Sequence, residues 1–424
     1  MPTRQLQSSK RRPVAERAEG LLPAHLSGIL DQIGPRLALI VVRNGEVVAV
    51  EARPNRPGGS HVSNDVPAQA PDAGTSGTLD ASRTAEASAV LGPAVEVRDA
   101  FVCLNQAFFI DPVVVDATPS TVTLTYGLRV GGSESLRFSG CAVEAPDHGS
   151  GEGTPIVIVN WVDAEGSASF PRTIIRVHSG ARTQVVEIMA SPDDVSALVC
   201  PVTQLDLGDG AALDYVFLQL LGKGTTQFGY QASSAGQDAN LVAFSASIGG
   251  AHARLRSDSI LAGEGSSSQH LAAYVGTGDQ THDFRTLQEH AARRTTSDLV
   301  FVGSVADRAH SVYSGLIRVR HGAAGTRAFQ TNRNLVLSKT ARADSVPNLD
   351  IQDNDVQCSH ASAIGPIDEN QRYYLESRGV PPEAAERLIV LGFFDEMIRR
   401  APVEGVQKVL LSAVAGKLGA ERDE

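Results

Sequence analysis

From about Val95 to Ile364 the chain is a succession of short β-branched and aliphatic runs, roughly four to eight residues each, broken by Gly, Asp, Ser and Asn. Amphipathic helices are nearly absent from this stretch. A segment this long, built of short strands without intervening helices, folds as a sandwich, a barrel or a parallel β-helix. No clean fixed-period repeat decides among the three. Period-two alternation is visible where Ile175 and Val177 oppose Ile174, Arg176 and His178, and where Ile317 and Val319 oppose Leu316, Arg318 and Arg320, so that one face is core and the other wetter. Aromatic residues make up only 5% of the chain and 40 of its 424 residues are Gly. The core must therefore be filled by Val, Leu, Ile and Ala, which favours thin, stacked layers of strands.

The flanks differ in character. Leu37 to Val42 and Glu46 to Val50 are apolar runs separated by Arg43-Asn44-Gly45, the signature of a tight hairpin. Residues 53–90 turn to Pro, Gly, Ser, Ala and Asp with almost no large apolar side chain, which predicts a mobile linker or insertion. After Gly365 the pattern becomes helical. Asp368 to Ser377 predicts a short helix ending at Gly379, and Pro381-Pro382 open a longer one in which Leu388, Ile389, Gly392, Phe393, Glu396 and Met397 share a face. A last helix carries Val403, Val406, Leu410, Val414 and Leu418 as its stripe, to dock on the β region or on another protein. The expected division is an N-terminal region 1–94, a β core 95–365 and a C-terminal helical unit 366–424.

A net charge of -11 argues against nucleic acid or an anionic membrane as partner, since counterion release needs clustered Lys and Arg. With no apolar run of spanning or signal-peptide length, the expected location is the cytosol, and the basic start through Lys10, Arg11, Arg12 and Arg17 leaves organellar targeting as a lesser alternative. The four cysteines, Cys103, Cys141, Cys200 and Cys358, lie far apart and fit neither a disulfide framework nor a self-contained zinc site. Leu221-Gly222-Lys223-Gly224-Thr225 resembles a fragment of a phosphate loop, but Phe217 stands where the first Gly belongs, so no nucleotide is expected on this chain. Asp206, Asp209 and Asp214 supply carboxylates without a clear partner, the weak basis for a polysaccharide-active β-helix enzyme. Most of the eleven histidines sit in polar loops or beside strands without metal-ligand spacing. Cys358-Ser359-His360 is the exception. On a strand, residues two apart point the same way, so this thiol and imidazole share a face and are either two metal ligands within reach of one ion or a buried Cys beside a surface His.

The stretch from Pro347 to Gly379, through Asp355-Val356, Cys358-Ser359-His360, Ile364-Gly365 and Tyr374-Leu375, resembles the C-terminal signature of the SufB/SufD family. Pro171 to Ile175, Gly180-Ala181 and Glu187 resemble the segment entering that family's β-helix, as do Asp283, His290, Thr296 and Ser297 further along; Gly315 to Val319 and Thr326, Gln330, Asn332 and Asn334 resemble its last coils. Phe101 to Phe109 looks like the D-type start of the core, and Cys two residues before His360 is the D-type pattern where the B type has Glu. Ala361-Ser362-Ala363 departs from the usual Gly-Ala-Thr, which puts the local backbone in question. The resemblance covers about Asp99 to Leu418. It implies a mainly β fold with a right-handed parallel β-helix core, and a non-catalytic scaffold subunit for iron–sulfur cluster assembly. It further implies pairing with a B-type paralogue at the β-helix and binding of an ABC-type ATPase, placed here on the C-terminal helices. The isolated chain is open to homodimer formation. The cluster would be transient and shared between subunits, with Cys358 and His360 as this chain's candidate ligands, because four widely spaced cysteines do not make a four-ligand site. A purely structural interaction protein, with no role for either residue, is the remaining alternative.

Overall fold

A computed structural model of the chain describes residues 18–52, 100–130, 136–145 and 154–419; the segment 53–90 lies outside them. The strand-rich middle is a parallel β-helix of about seven coils. Each coil contributes one strand to each of two sheets. In the first sheet the strands Ile156–Trp161, Arg182–Ala190, Ala212–Leu220, Asn240–Ser247, Ser267–Gly276, Thr296–Val305, Thr326–Val336 and Val356–Gly365 follow one another in space as in sequence. The second sheet alternates with it, from Arg172–Val177 to His310–Val319 and finally Arg342–Ile351. Side chains therefore stack in columns along the axis, for example His270, Leu299, Gln330 and His360. Corner hydrogen bonds join residues 30 positions apart, such as Gln219 to Gly249 and Thr225 to Val195. The repeat is structural and carries no matching sequence repeat.

The alternation around Ile317 holds throughout its strand, with Tyr313, Gly315, Ile317 and Val319 buried between the sheets and Ser314, Leu316 and Arg318 half-exposed. Around Ile175 it does not: Ile174, expected on the wetter side, is fully buried. The outer face of these first coils is covered in part by a helix that the sequence pattern had hidden at the start of the core. With α1 spanning Ala24–Ile33, α2 spans Ala100–Phe108. Val102 of α2 packs on Val202 and Tyr230, and its Asn105 donates to the carbonyls of Pro171 and Cys200.

The two ends of the solenoid differ. At the first, the hairpin Ala38–Arg43 and Glu46–Ala52 extends one sheet and the antiparallel strands Val113–Ala117, Thr121–Val130 and Leu136–Glu144 extend the other. Asn44 and Gly45 make the hairpin turn with positive φ, as the Asn-Gly pair predicts. At the second end Arg342–Ile351 and Val356–Gly365 are the outermost strands of their sheets, and among the described residues no strand pairs with their free edges.

Three helices follow: α3 (Glu369–Ser377), α4 (Pro382–Arg399) and α5 (Glu404–Gly419). The Asp368 carboxylate caps α3 by accepting from the Asn370 N–H at 2.9 Å. Helices α1, α4 and α5 bury an apolar layer against the outer face of the first sheet, where Phe244, Leu271, Val300 and Val302 meet Leu30, Phe394, Met397, Val406 and Leu410. The buried face of α4 is Ala385, Val390, Phe394, Met397 and Ile398, a correction to the expected one. Met397 belongs to it, but Leu388 is exposed and Glu396 pairs with Arg333 at the surface. Apolar residues surround α4, so spacing alone did not identify its inner side. The stripe of α5 is as expected, with Val406, Leu410 and Val414 buried and Val409 added. No helix among the described residues is long and apolar enough to cross a membrane.

Candidate functional site

Cys358 and His360 lie on Val356–Gly365, the last strand of the first sheet. Cys358 pairs in register with Ala328 and His360 with Gln330, both buried between the sheets, so the thiol and the imidazole continue two inward-facing columns at the uncovered end. Cys358 is half-buried and, with Val356, packs on a small cluster of Ile317, Val319, Ala323 and Ala328; His360 is exposed. The register runs unbroken through Ala361, Ser362 and Ala363, and none of them takes a positive φ. The missing Gly therefore has no geometric consequence, since any residue adopts an extended backbone.

Burial pushes the Cys358 thiol up, and a hydrogen bond with the Ala328 backbone partly offsets it. A metal binding there must displace the proton. Thiolate and imidazole together suit iron as soft and borderline donors. They are two donors only: among the described residues there is no group of three or more His, Cys, Asp or Glu placed to hold one ion. Cys103, Cys141 and Cys200 form no disulfide among the described residues.

The other sequence candidates fall elsewhere. Asp206 and Asp214 sit half-buried on the outer faces of opposite sheets, bonded to Gln204 and Gln184, and Asp209 is in a corner where it accepts from the Gln237 N–H. They do not converge on a cleft. The Gly222-Lys223-Gly224-Thr225 segment is a corner leading into a strand, with Thr225 buried and bonded to Ser191 and Val195. His282 and His290 point into the space between the sheets and bond Ser247, Thr295 and Ser297. That interior is more polar than the sequence reading anticipated. Its later coils hold His270, Tyr274, Tyr313, Gln330, Asn332 and Asn334, and the alternating amides at 330, 332 and 334 were the available signal.

The chain is similar in sequence to known proteins. A family model described as "SUF system FeS cluster assembly, SufBD core domain" matches residues 160–393. The iron–sulfur cluster assembly protein SufD of Bacillus subtilis is 30% identical over 267 residues, covering 62% of this chain and 61% of that protein. An iron–sulfur cluster assembly SufBD family protein of Mycobacterium tuberculosis is 35% identical over 218 residues, 50% of this chain and 55% of its own length. SufD of Escherichia coli is 28% identical over 239 residues, 56% of each chain. The matched part spans a little over half the length of these curated relatives.

Proposed function

Because this chain belongs to the SufB/SufD family, and to its D type, we propose that it is a scaffold subunit on which iron and sulfide are joined at the bare end of the β-helix. Cys358 and His360 are the ligands it contributes, and the growing cluster is cargo. An iron–sulfur cluster takes four protein ligands in most sites. A chain presenting two leaves the remainder to another subunit, so assembly waits on the complex having formed. The single observation behind this reading is the position of the Cys358 and His360 side chains: adjacent, inward-facing, and on an outermost strand.

The same end supports pairing with a B-type paralogue. Free strand edges offer unpaired backbone groups to a second sheet, and Val346, Leu349, Ile351 and Ile364 stand exposed around them. The ABC-type ATPase is assigned to the outer side of the helical unit. There Tyr373, Tyr374 and Leu388 form an exposed apolar surface beside a depression lined by Asn370, Leu375 and Ile389. In this scheme the chain catalyses nothing by itself; it holds ligands while nucleotide chemistry elsewhere drives the rearrangement.

The test is iron and acid-labile sulfide per complex, after co-purifying the full chain with a B-type paralogue and the ATPase. His360→Ala should lower both by more than about tenfold, the scale of losing a metal ligand or its support. Cys358→Ala should act in the same direction, less strongly, because its thiol is half-buried and holds its proton more tightly. Wild-type content in both single variants and in the double variant would overturn the assignment.

A further inference from the structure

We infer that Gln330 is a positioning residue for His360. Its amide crosses the interior one coil below and accepts a hydrogen bond from the imidazole nitrogen that iron does not take. The inference rests on His360 being a ligand, as proposed above. Gln330 is 1% exposed, yet neither its Nε2 nor its Oε1 has a hydrogen-bond partner. Buried amides are almost always satisfied, and an exception asks for an explanation. The other amides on the same inward line are satisfied. Asn332 Nδ2 donates to Tyr274 Oη and to the Phe301 carbonyl; Asn334 Oδ1 accepts from Tyr274 Oη and Ser311 Oγ, while its Nδ2 donates to Asn332 Oδ1. Gln330 alone on this line is left open.

Its surroundings indicate which partner it lacks. Across the interior stands Gly315, where a side-chain methyl would lie 2.6 Å from Gln330 Nε2 and 2.8 Å from Oε1. The glycine thus makes room for the amide to span the lumen. In the coil below, the column neighbour of Gln330 is Leu299, which offers no polar atom. Tyr313 Oη, which also borders Gly315, is engaged with Thr286 Oγ1 at 3.1 Å. In the coil above, the column neighbour is His360, one strand spacing of about 4.8 Å away. A histidine that ligates metal through one nitrogen keeps a proton on the other, and a carbonyl oxygen accepting that proton fixes both tautomer and ring orientation. Gln330 Oε1 is the group so placed. The bond forms when iron and the partner cover His360, now exposed at the bare end.

Gln330→Met keeps length and volume and removes the hydrogen bond; Gln330→Glu restores an acceptor oxygen. Both are to be compared with His360→Ala in the full complex with a B-type paralogue and the ATPase. Expected for Gln330→Met are unchanged co-purification, a thermal midpoint at or above wild type, and iron and sulfide content reduced about fivefold or more. In the reduced cluster, magnetic coupling to 15N-labelled histidine should be altered. Gln330→Glu should recover at least half of the lost content. Full content and unchanged coupling in Gln330→Met, with His360→Ala still depleted, would overturn the positioning role and leave the ligand assignment standing. A content loss matched by a fall in thermal midpoint, with coupling unchanged, would make Gln330 structural and likewise overturn it. Full content in His360→Ala would remove the ligand assignment itself, and this inference with it.

Discussion

Glu187 is a fully buried carboxyl held by donors from strands of both sheets: Asn160 Nδ2 at 3.0 Å, Thr173 Oγ1 at 2.9 Å, Thr203 Oγ1 at 3.1 Å and Tyr215 Oη at 2.8 Å. Burial pushes its acid up and the four hydrogen bonds pull it back. With two donors converging on each oxygen, Glu187→Gln turns one acceptor into a donor facing two others. The expected loss is about 1–3 kcal/mol, the cost of leaving buried polar groups unpaired, read from urea unfolding at pH 7. An unchanged midpoint would mean that the surrounding hydroxyls simply rotate. At this scale the sequence was informative where chemistry follows spacing. Cys358 and His360 share a face because strands have period two, and that needed no structure. Glu187 and Gln330 matched a family pattern, but their partners lie 14 to 28 residues away for Glu187 and in neighbouring coils for Gln330, which spacing does not reveal.

Among the elements, the later coils place three histidines in the interior, and burial lowers each: His282 to about 3, His270 and His290 to about 4. Folded, they remain neutral at pH values where the unfolded chain, titrating near 6.5, already binds protons. Stability from these groups is therefore complete above about pH 6.5 and is lost as pH falls toward the folded values, by about 4 kcal/mol per pH unit when all three are uncharged in the fold. Urea midpoints at pH 7, 6 and 5 should fall with rising slope, and His270→Gln should flatten the profile by about one proton. A profile that this change leaves unaltered would exclude His270 as a contributor. The hairpin, α3 and α5 were legible because turn residues, a cap and a clean stripe each point one way. The inner face of α4 was not, because apolar side chains surround it, and the burial of Ile174 was not, because alternation along a strand does not say what covers its outer side.

For the whole molecule, the two ends of the solenoid differ: antiparallel strands extend both sheets at the first, and parallel coil strands are outermost at the second. The sequence established that the middle is built of short strands, but coils of 30-residue spacing without sequence identity gave no period to read, so the choice of solenoid came from family resemblance. Exposed Leu349 and Ile364 on the two terminal strands lie at the centre of the bare face. The isolated wild-type chain should self-associate reversibly with concentration in sedimentation experiments. Leu349→Lys with Ile364→Lys should abolish this and weaken pairing with the B-type paralogue by on the order of 30-fold, as losing an interface centre worth about 2 kcal/mol does. Retained pairing would move the interface elsewhere. The bare end also has a place in time. Ribosomes release chains N-terminus first and coils fold onto what precedes them. The end that carries the hairpin is thus synthesised before the coils that stack on it, and each nascent intermediate carries an edge that the next coil covers. Among the described residues no later strand pairs with the edge that holds Cys358 and His360. The described strands stop there as an arrested elongation, with an edge still open to a further coil.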